Sequence, residues 1–214
     1  MEHALFQKLI DKLMTREELR RQVELDFNLL PIIFEGISSS KATIRYSCAK
    51  ILMDLSETHP QQLYPHMDFF VHLLDSKYRI LTWNALAIIA NLTRIDHEKK
   101  FDAIFDKYYS FIHDEYMVTV ANLVEYSGKI ATAKPYLVEK ITHKLLLIEH
   151  IALTPHLTEE CKRVIAGQAI QSFSLFIDKV EQKKEIIAFV KRQLLSPRRS
   201  LSNEAQNFLK KYET

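Results

Sequence analysis

The chain has 214 residues, 47% of them hydrophobic and 26% charged, which is enough to bury a sizeable core. Only three glycines and six prolines occur. A β-sandwich or barrel needs turn residues about every 8–12 positions and phosphate-cradling loops need clustered glycines, so sheet folds, Walker loops and dinucleotide folds are excluded. Twenty-nine basic against 27 acidic residues leave a net charge of +2, too small an excess for a protein that coats nucleic acid.

Apolar residues recur at helical spacing from the start of the chain, as in Leu5, Leu9 and Leu13, and strict alternation is absent, so the predicted fold is all-α. Thr15-Arg16-Glu17-Glu18 has the pattern of a capping box and opens the next helix. Further breaks fall at Ser38-Ser39-Ser40, Thr58-His59-Pro60, Asp75-Ser76, Asp96-His97, His113-Asp114, Lys134-Pro135, Thr154-Pro155 and Ser196-Pro197. They cut the chain into about twelve helices joined by short turns. None of these breaks is rich enough in Gly, Ser or Pro to be an interdomain linker, which predicts one domain over 1–214. Cys48 and Cys161 lie in apolar periodic segments and read as small buried hydrophobes rather than a disulfide framework or a zinc knuckle. Met1-Glu2-His3 is not followed by a basic and then apolar leader, and no run reaches the ~18 apolar residues that span a bilayer. The expectation is a cytoplasmic protein without a membrane segment.

The helices repeat. Ile80–Ile89 aligns with Ile44–Met53 at an offset of 36 residues, and the same offset reaches Ala121 and Val124, so alanine recurs at 49, 85 and 121. After a longer fourth unit the pattern returns at Ala166, Ala169, Ile170 and Phe173, and again at Leu201, Ala205, Phe208, Leu209 and Tyr212. A small residue at the ladder position lets the second helix of each pair approach the first closely. The predicted units are 1–26, 27–58, 60–95, 97–131, 133–180 and 182–213.

These residues resemble the HEAT-repeat family and the related armadillo solenoids. Leu29-Leu30-Pro31-Ile32-Ile33 is similar to the proline-kinked first helix of such a unit, and Ile44-Arg45 followed by Ala49 and Leu52 is similar to the start of its second helix. The likeness covers residues 27–130 well and the remainder loosely. It implies a right-handed α-α superhelix of five to six helix pairs, whose aligned second helices offer an extended surface to a partner.

Positions one, five and eight residues after each ladder alanine share a helix face. They read Lys50, Asp54 and Glu57; Asn122, Tyr126 and Lys129 with adjacent Glu125; Gly167 with adjacent Gln168, Gln171 and Ser174; and Gln206 and Lys210. The second unit departs from this polar stripe, with Leu86, Ala90 and Thr93 beside Trp83, the sole tryptophan. Two readings of that helix stay open: a helix buried on several sides, or an apolar seat for a partner's anchor flanked by Asn84 and Asn91. Asn91-Leu92 is similar to the asparagine-plus-aliphatic step of armadillo repeats, whose asparagines hold a peptide backbone. The partner-binding residues expected on these grounds are Trp83, Leu86, Asn91, Asn122, Glu125, Tyr126, Lys129 and Gln171, the partner being a protein or peptide.

From Lys183 to Thr214 there are eight Lys/Arg and three Glu, a net +5 that leaves −3 for the rest. Within this basic end Arg198 and Arg199, in the turn before the last helix, are expected to form an anion site. Nine histidines do not make a metal centre: Glu139 and His143 are one turn apart, but His150 lies two turns on, roughly 10 Å along the axis. Neither a nucleophile elbow nor a Cys/His couple is found, so no catalytic residue and no cofactor is assigned. The alternative is a nucleic-acid-binding helical-repeat protein similar to the bacterial alkylpurine DNA glycosylases, which would use a basic cleft with aromatic residues around an extruded base.

Overall fold

The computed structural model describes residues 4–181 and 183–213, and among these the only extended pairing is one isolated bridge between Thr154 and Leu157. The chain falls into two compact units, Met1–Asp96 and His97–Thr214.

In the first unit, α1 (Ala4–Ile10) and α2 (Arg16–Leu25) precede two repeated modules. The predicted capping box is formed: Glu18 N donates to the Thr15 hydroxyl at 3.2 Å and Thr15 N donates to Glu18 Oε2 at 2.7 Å. Two N–H groups that the first helical turn leaves open are thereby satisfied. A 3₁₀ turn at Phe27–Leu29 leads into α3 (Leu30–Gly36), which packs on α4 (Ala42–Thr58). The next module runs through α5 (Pro60–Leu63), a 3₁₀ turn at Tyr64–His66, α6 (Met67–Leu73) and α7 (Arg79–Leu92), with α7 packed against both α6 and α4.

Residues 60–95, expected as one helix pair, therefore hold three α-helices, α5, α6 and α7. Pro60 and Pro65 each occupy the first turn of a helical segment, where a missing N–H leaves no acceptor unpaired; Pro65 cannot extend the helix before it, so the first arm is cut in two. Leu52, Leu55, Phe70, Leu86 and Ile89 are fully enclosed in this core. Arg45, buried at the start of α4, donates to the Ser39 carbonyl at 2.7 Å and lies 3.7 Å from the Tyr78 ring centroid, so one side chain ties the α3–α4 turn to the residue preceding α7. Cys48 is buried as expected, and burial pushes its thiol up to about 12.

The second unit comprises α8 (Lys100–Ser110), α9 (Met117–Ala133), α10 (Val138–Leu146), α11 (Glu159–Phe176), α12 (Lys183–Gln193) and α13 (Arg199–Tyr212). Helix α11 is flanked by α9 on one side and α13 on the other. The α9–α11 approach is close because Gly128 carries no side chain: a Cβ there would stand 2.7 Å from Leu175 Cδ1 and 3.2 Å from Ser172 Cα. Ser172 Oγ completes the contact by donating to the Val124 carbonyl at 2.6 Å. Ala49, Ala85, Ala121, Ala166 and Ala205 are all buried, each at 7% exposure or less.

The extra length of the fourth unit lies between α10 and α11. After a 3₁₀ turn at Leu147–His150, residues 151–158 run irregularly through Pro155 and fold back on α9. His156 stacks on Tyr116 with ring centroids 4.2 Å apart, Met117 N donates to the His156 carbonyl at 3.2 Å, and Thr154 Oγ1 donates to the Glu115 carbonyl at 2.6 Å. Cys161 is only half-buried, because it stands in the first turn of α11, where it receives a hydrogen bond from the Thr158 hydroxyl.

Candidate partner-binding surface

On α9 the helical period places Asn122, Glu125 and Lys129 along one side with Tyr126 beside them, while Val120, Leu123 and Val124 enter the core. Glu125 and Lys129 are exposed, and Asn122 and Tyr126 are half-buried. Lys129 Nζ lies 5.7 Å from the Tyr126 ring centroid, the range of a cation–π contact. Ser172 fixes α11 against α9 at the level of Glu125, since its hydroxyl reaches the Glu125 carbonyl as well as that of Val124. The neighbouring residue, Gln171, is exposed. Five of the expected partner-binding residues, Asn122, Glu125, Tyr126, Lys129 and Gln171, thus reach solvent within one unit. Asn122 and Glu125 make no side-chain hydrogen bond among the described residues.

Of the two readings open for α7, the structure shows the helix buried on several sides, and Leu86 and Asn91 offer no apolar seat to a partner. Leu86 is fully enclosed, and every residue from Ala85 to Leu92 is buried because α4 and α6 both cover this helix. Asn91 is 8% exposed and turned inward, its Nδ2 donating to Ser56 Oγ at 2.9 Å, while Ser56 in turn donates to the Met53 carbonyl. Its amide is a structural bond between α7 and α4 and does not face a peptide. Trp83 is half-buried near the start of the same helix.

The paired arginine fork expected at 198–199 does not form either. Arg198 Nη1 is bound to Glu160, which also accepts from Arg163 at 3.1 Å, and the two guanidiniums hold the Glu160 carboxyl below the usual range. Arg199 is exposed and makes no ion pair among the described residues. The basic end is balanced in the same way at Arg192, whose fork takes Glu149 through bonds of 2.7 and 2.6 Å beside a cleft of about 260 Å³.

Two residues stand out structurally in the α11–α13 cleft, Gln168 of the expected stripe and Glu204, which the periodicity does not single out. Gln168 Oε1 is enclosed and has no hydrogen-bond donor among the described residues. Glu204 on α13 is half-buried, and burial raises its carboxyl above the ordinary value although the Gln171 amide bonds it. Gly167, in the middle of α11, makes room for this carboxylate, for a Cβ there would meet Glu204 Oε2 at 3.1 Å.

No family model matches the chain, and no curated protein does. Solved structures do. A designed armadillo repeat protein, YIII(Dq)4CqI, matches with a TM-score of 0.61 at 16% identity, covering 89% of this chain and 84% of its own. A structure described as that of computationally designed armadillo repeat proteins for modular peptide recognition matches with a TM-score of 0.58 at 16% identity, covering 89% of this chain and 84% of its own. An engineered protein from a structural-genomics programme matches with a TM-score of 0.55 at 13% identity, covering 92% of this chain and 83% of its own. Identities this low carry the fold alone, and the fold is that of the HEAT/armadillo-like helical-repeat solenoids.

Proposed function

We propose that the chain is a non-enzymatic scaffold that binds a peptide or helix of a partner protein along the second helices of the His97–Thr214 unit. The observation that carries this reading is the polar stripe of α9 and α11, where the Asn122 and Glu125 side chains make no hydrogen bond among the described residues and Gln171 stands at solvent. Amide side chains in such positions donate to and accept from a peptide backbone without demanding its sequence, while Tyr126 supplies a flat apolar contact beside them. The likeness to repeat proteins designed for modular peptide recognition supports the same use of the fold.

Panning the intact chain against a display library of linear 12-residue peptides tests the reading. Retained peptides are expected to bind about tenfold more weakly to an Asn122→Ala/Gln171→Ala double variant, the loss that two hydrogen bonds of ordinary strength predict. A folded chain that retains no peptide, or that binds its peptides equally well after the double substitution, overturns it.

A further inference from the structure

Helices α4 and α7 pack against each other, and the turns that precede them carry a positive charge that the fold does not balance. Residues 38–45 and 74–81 hold Lys41, Arg45, Lys77 and Arg79 against a single acid, Asp75. Buried charges are as a rule paired, and Arg45 is not. The residue is 5% exposed, it makes no ion pair among the described residues, and its Nε is enclosed without an acceptor. What holds the guanidinium is the Ser39 carbonyl at 2.7 Å and the rings of Tyr46 and Tyr78, whose centroids lie at 4.8 and 3.7 Å. A carbonyl and two ring faces offer partial charges only, so most of the positive charge stays uncompensated.

That charge lies between two helix starts. Lys41 and Tyr78 are the N-cap residues of α4 and α7, neither side chain caps its helix, and neither first turn contains an acidic residue. The N–H groups of Ala42, Thr43 and Ile44 on α4 and of Ile80 on α7 have no acceptor among the described residues. In the 36-residue repeat the two turns are equivalent, each with a Ser-Lys step, Ser40-Lys41 and Ser76-Lys77. Ser40, Thr43 and Lys77 are exposed, and Lys77 makes no ion pair among the described residues. The next turn in step reads Ile112-His113 and is followed by Asp114 and Glu115, so the basic pair of turns belongs to α4 and α7.

We propose that the paired starts of α4 and α7 bind a phosphate group, with the first-turn N–H groups, the Thr43 hydroxyl and the Lys77 ammonium as its contacts and Arg45 as the charge beneath them. Helix N-termini attract anions through their open N–H groups and the helix dipole, and here two of them are served by one buried cation. Arg45 acts through space and needs no contact with the ligand, because a charge enclosed in protein is screened far less than one in water. A tetrahedral dianion fits better than a carboxylate: its oxygens point in several directions and can meet two helix ends, whereas a carboxylate presents both oxygens in one plane. The site lies in the Met1–Asp96 unit and is independent of the peptide-binding surface assigned to the other unit.

Nitrogen–proton correlation spectra of the intact chain, recorded while inorganic phosphate replaces chloride at constant ionic strength, test the proposal. Saturable shifts are expected at the Ala42, Thr43 and Ile80 amides, with a dissociation constant on the order of millimolar. Lys77→Gln should weaken binding about threefold and Arg45→Gln about tenfold, whereas Arg199→Gln, in the other unit, should leave it unchanged. Shifts that do not saturate, shifts confined to one of the two helix starts, or full binding by Lys77→Gln or by folded Arg45→Gln overturn the proposal. Circular dichroism shows whether Arg45→Gln folds, and if it does not, the exposed Lys77→Gln decides alone. A parallel titration with glycerol phosphate separates the two sources of the group: tighter binding than inorganic phosphate marks a phosphate ester as the ligand, and weaker binding marks the free ion.

Discussion

Helices α7 and α11 hold equivalent places as the second helices of their modules, yet their amides point opposite ways. On α7, Asn91 is turned into the core and bonded to Ser56, and on α11 Gln171 stands at solvent. The difference lies in how much of each helix the neighbours cover: α7 is apolar nearly all round and buried from Ala85 to Leu92, whereas α11 keeps Gln171, Ser174 and Leu175 exposed between its flanking helices. An amide on a helix buried all round is one of the polar groups that the core must satisfy. The same group on the amphipathic α11 stays at the surface, where the Gln171 amide bonds Glu204.

The largest effect that separates the two helices is expected from a charge. Leu86→Glu places a carboxylate in a fully enclosed site and should cost on the order of 4 kcal/mol or more, unfolding the protein at low urea, whereas Gln171→Glu should change stability by less than about 0.5 kcal/mol. Similar urea midpoints for the two variants would break the comparison. Next comes Ala85→Leu, which overpacks the ladder position between α4, α6 and α7 and is expected to cost about 1–3 kcal/mol in the same assay. Smaller again is the contrast between amides. Asn91→Ala leaves Ser56 without its buried partner, a loss of about 1–2 kcal/mol, while Asn122→Ala is expected to stay within about 0.5 kcal/mol.

The smallest expected effect concerns Glu204. Its folded-state carboxyl titrates above the ordinary value, so the folded protein holds this proton more tightly than the unfolded chain, and ionisation works against the fold at neutral pH. Glu204→Gln should therefore raise the melting temperature slightly at pH 7, and the gain should disappear as the pH falls below the unfolded value of 4.5. A gain that persists at pH 3.5 would mean that ionisation of this carboxyl is not its source.

Much of the fold was legible because it is written locally. The 3.6-residue period, the capping residues around Thr15 and the alanines spaced by 36 each depend on short segments, and all take the places expected of them. The break at Pro65 was missed although the proline was visible, because Leu63 and Met67 continue an apolar pattern across it. The surface was less legible. A helix as uniformly apolar as α7 has no dominant polar side, so periodicity alone does not say which side faces out and leaves both a buried helix and an apolar seat open, whereas Leu86 and Asn91 belong to the core. Glu204 was missed for the converse reason: on the strongly amphipathic α13 one more glutamate reads as a solvated face. The signal available in the sequence was Gly167, a mid-helix glycine with no turn to explain it.

The connection at 147–158 has a consequence for how such a chain can diversify. Up to Ala121 the modules keep step at 36 residues, so a duplication or exchange of one module there would rejoin the ladder in phase. Beyond it, α11 starts late and its approach is fastened to the beginning of α9 by His156 and Thr154. A module inserted between α9 and α11 would part those contacts and shift the following helices out of step. Grafting and recombination are thus open to the helices before this clasp, while α9, α11 and α13 are inherited as one block, and with them whatever the block holds.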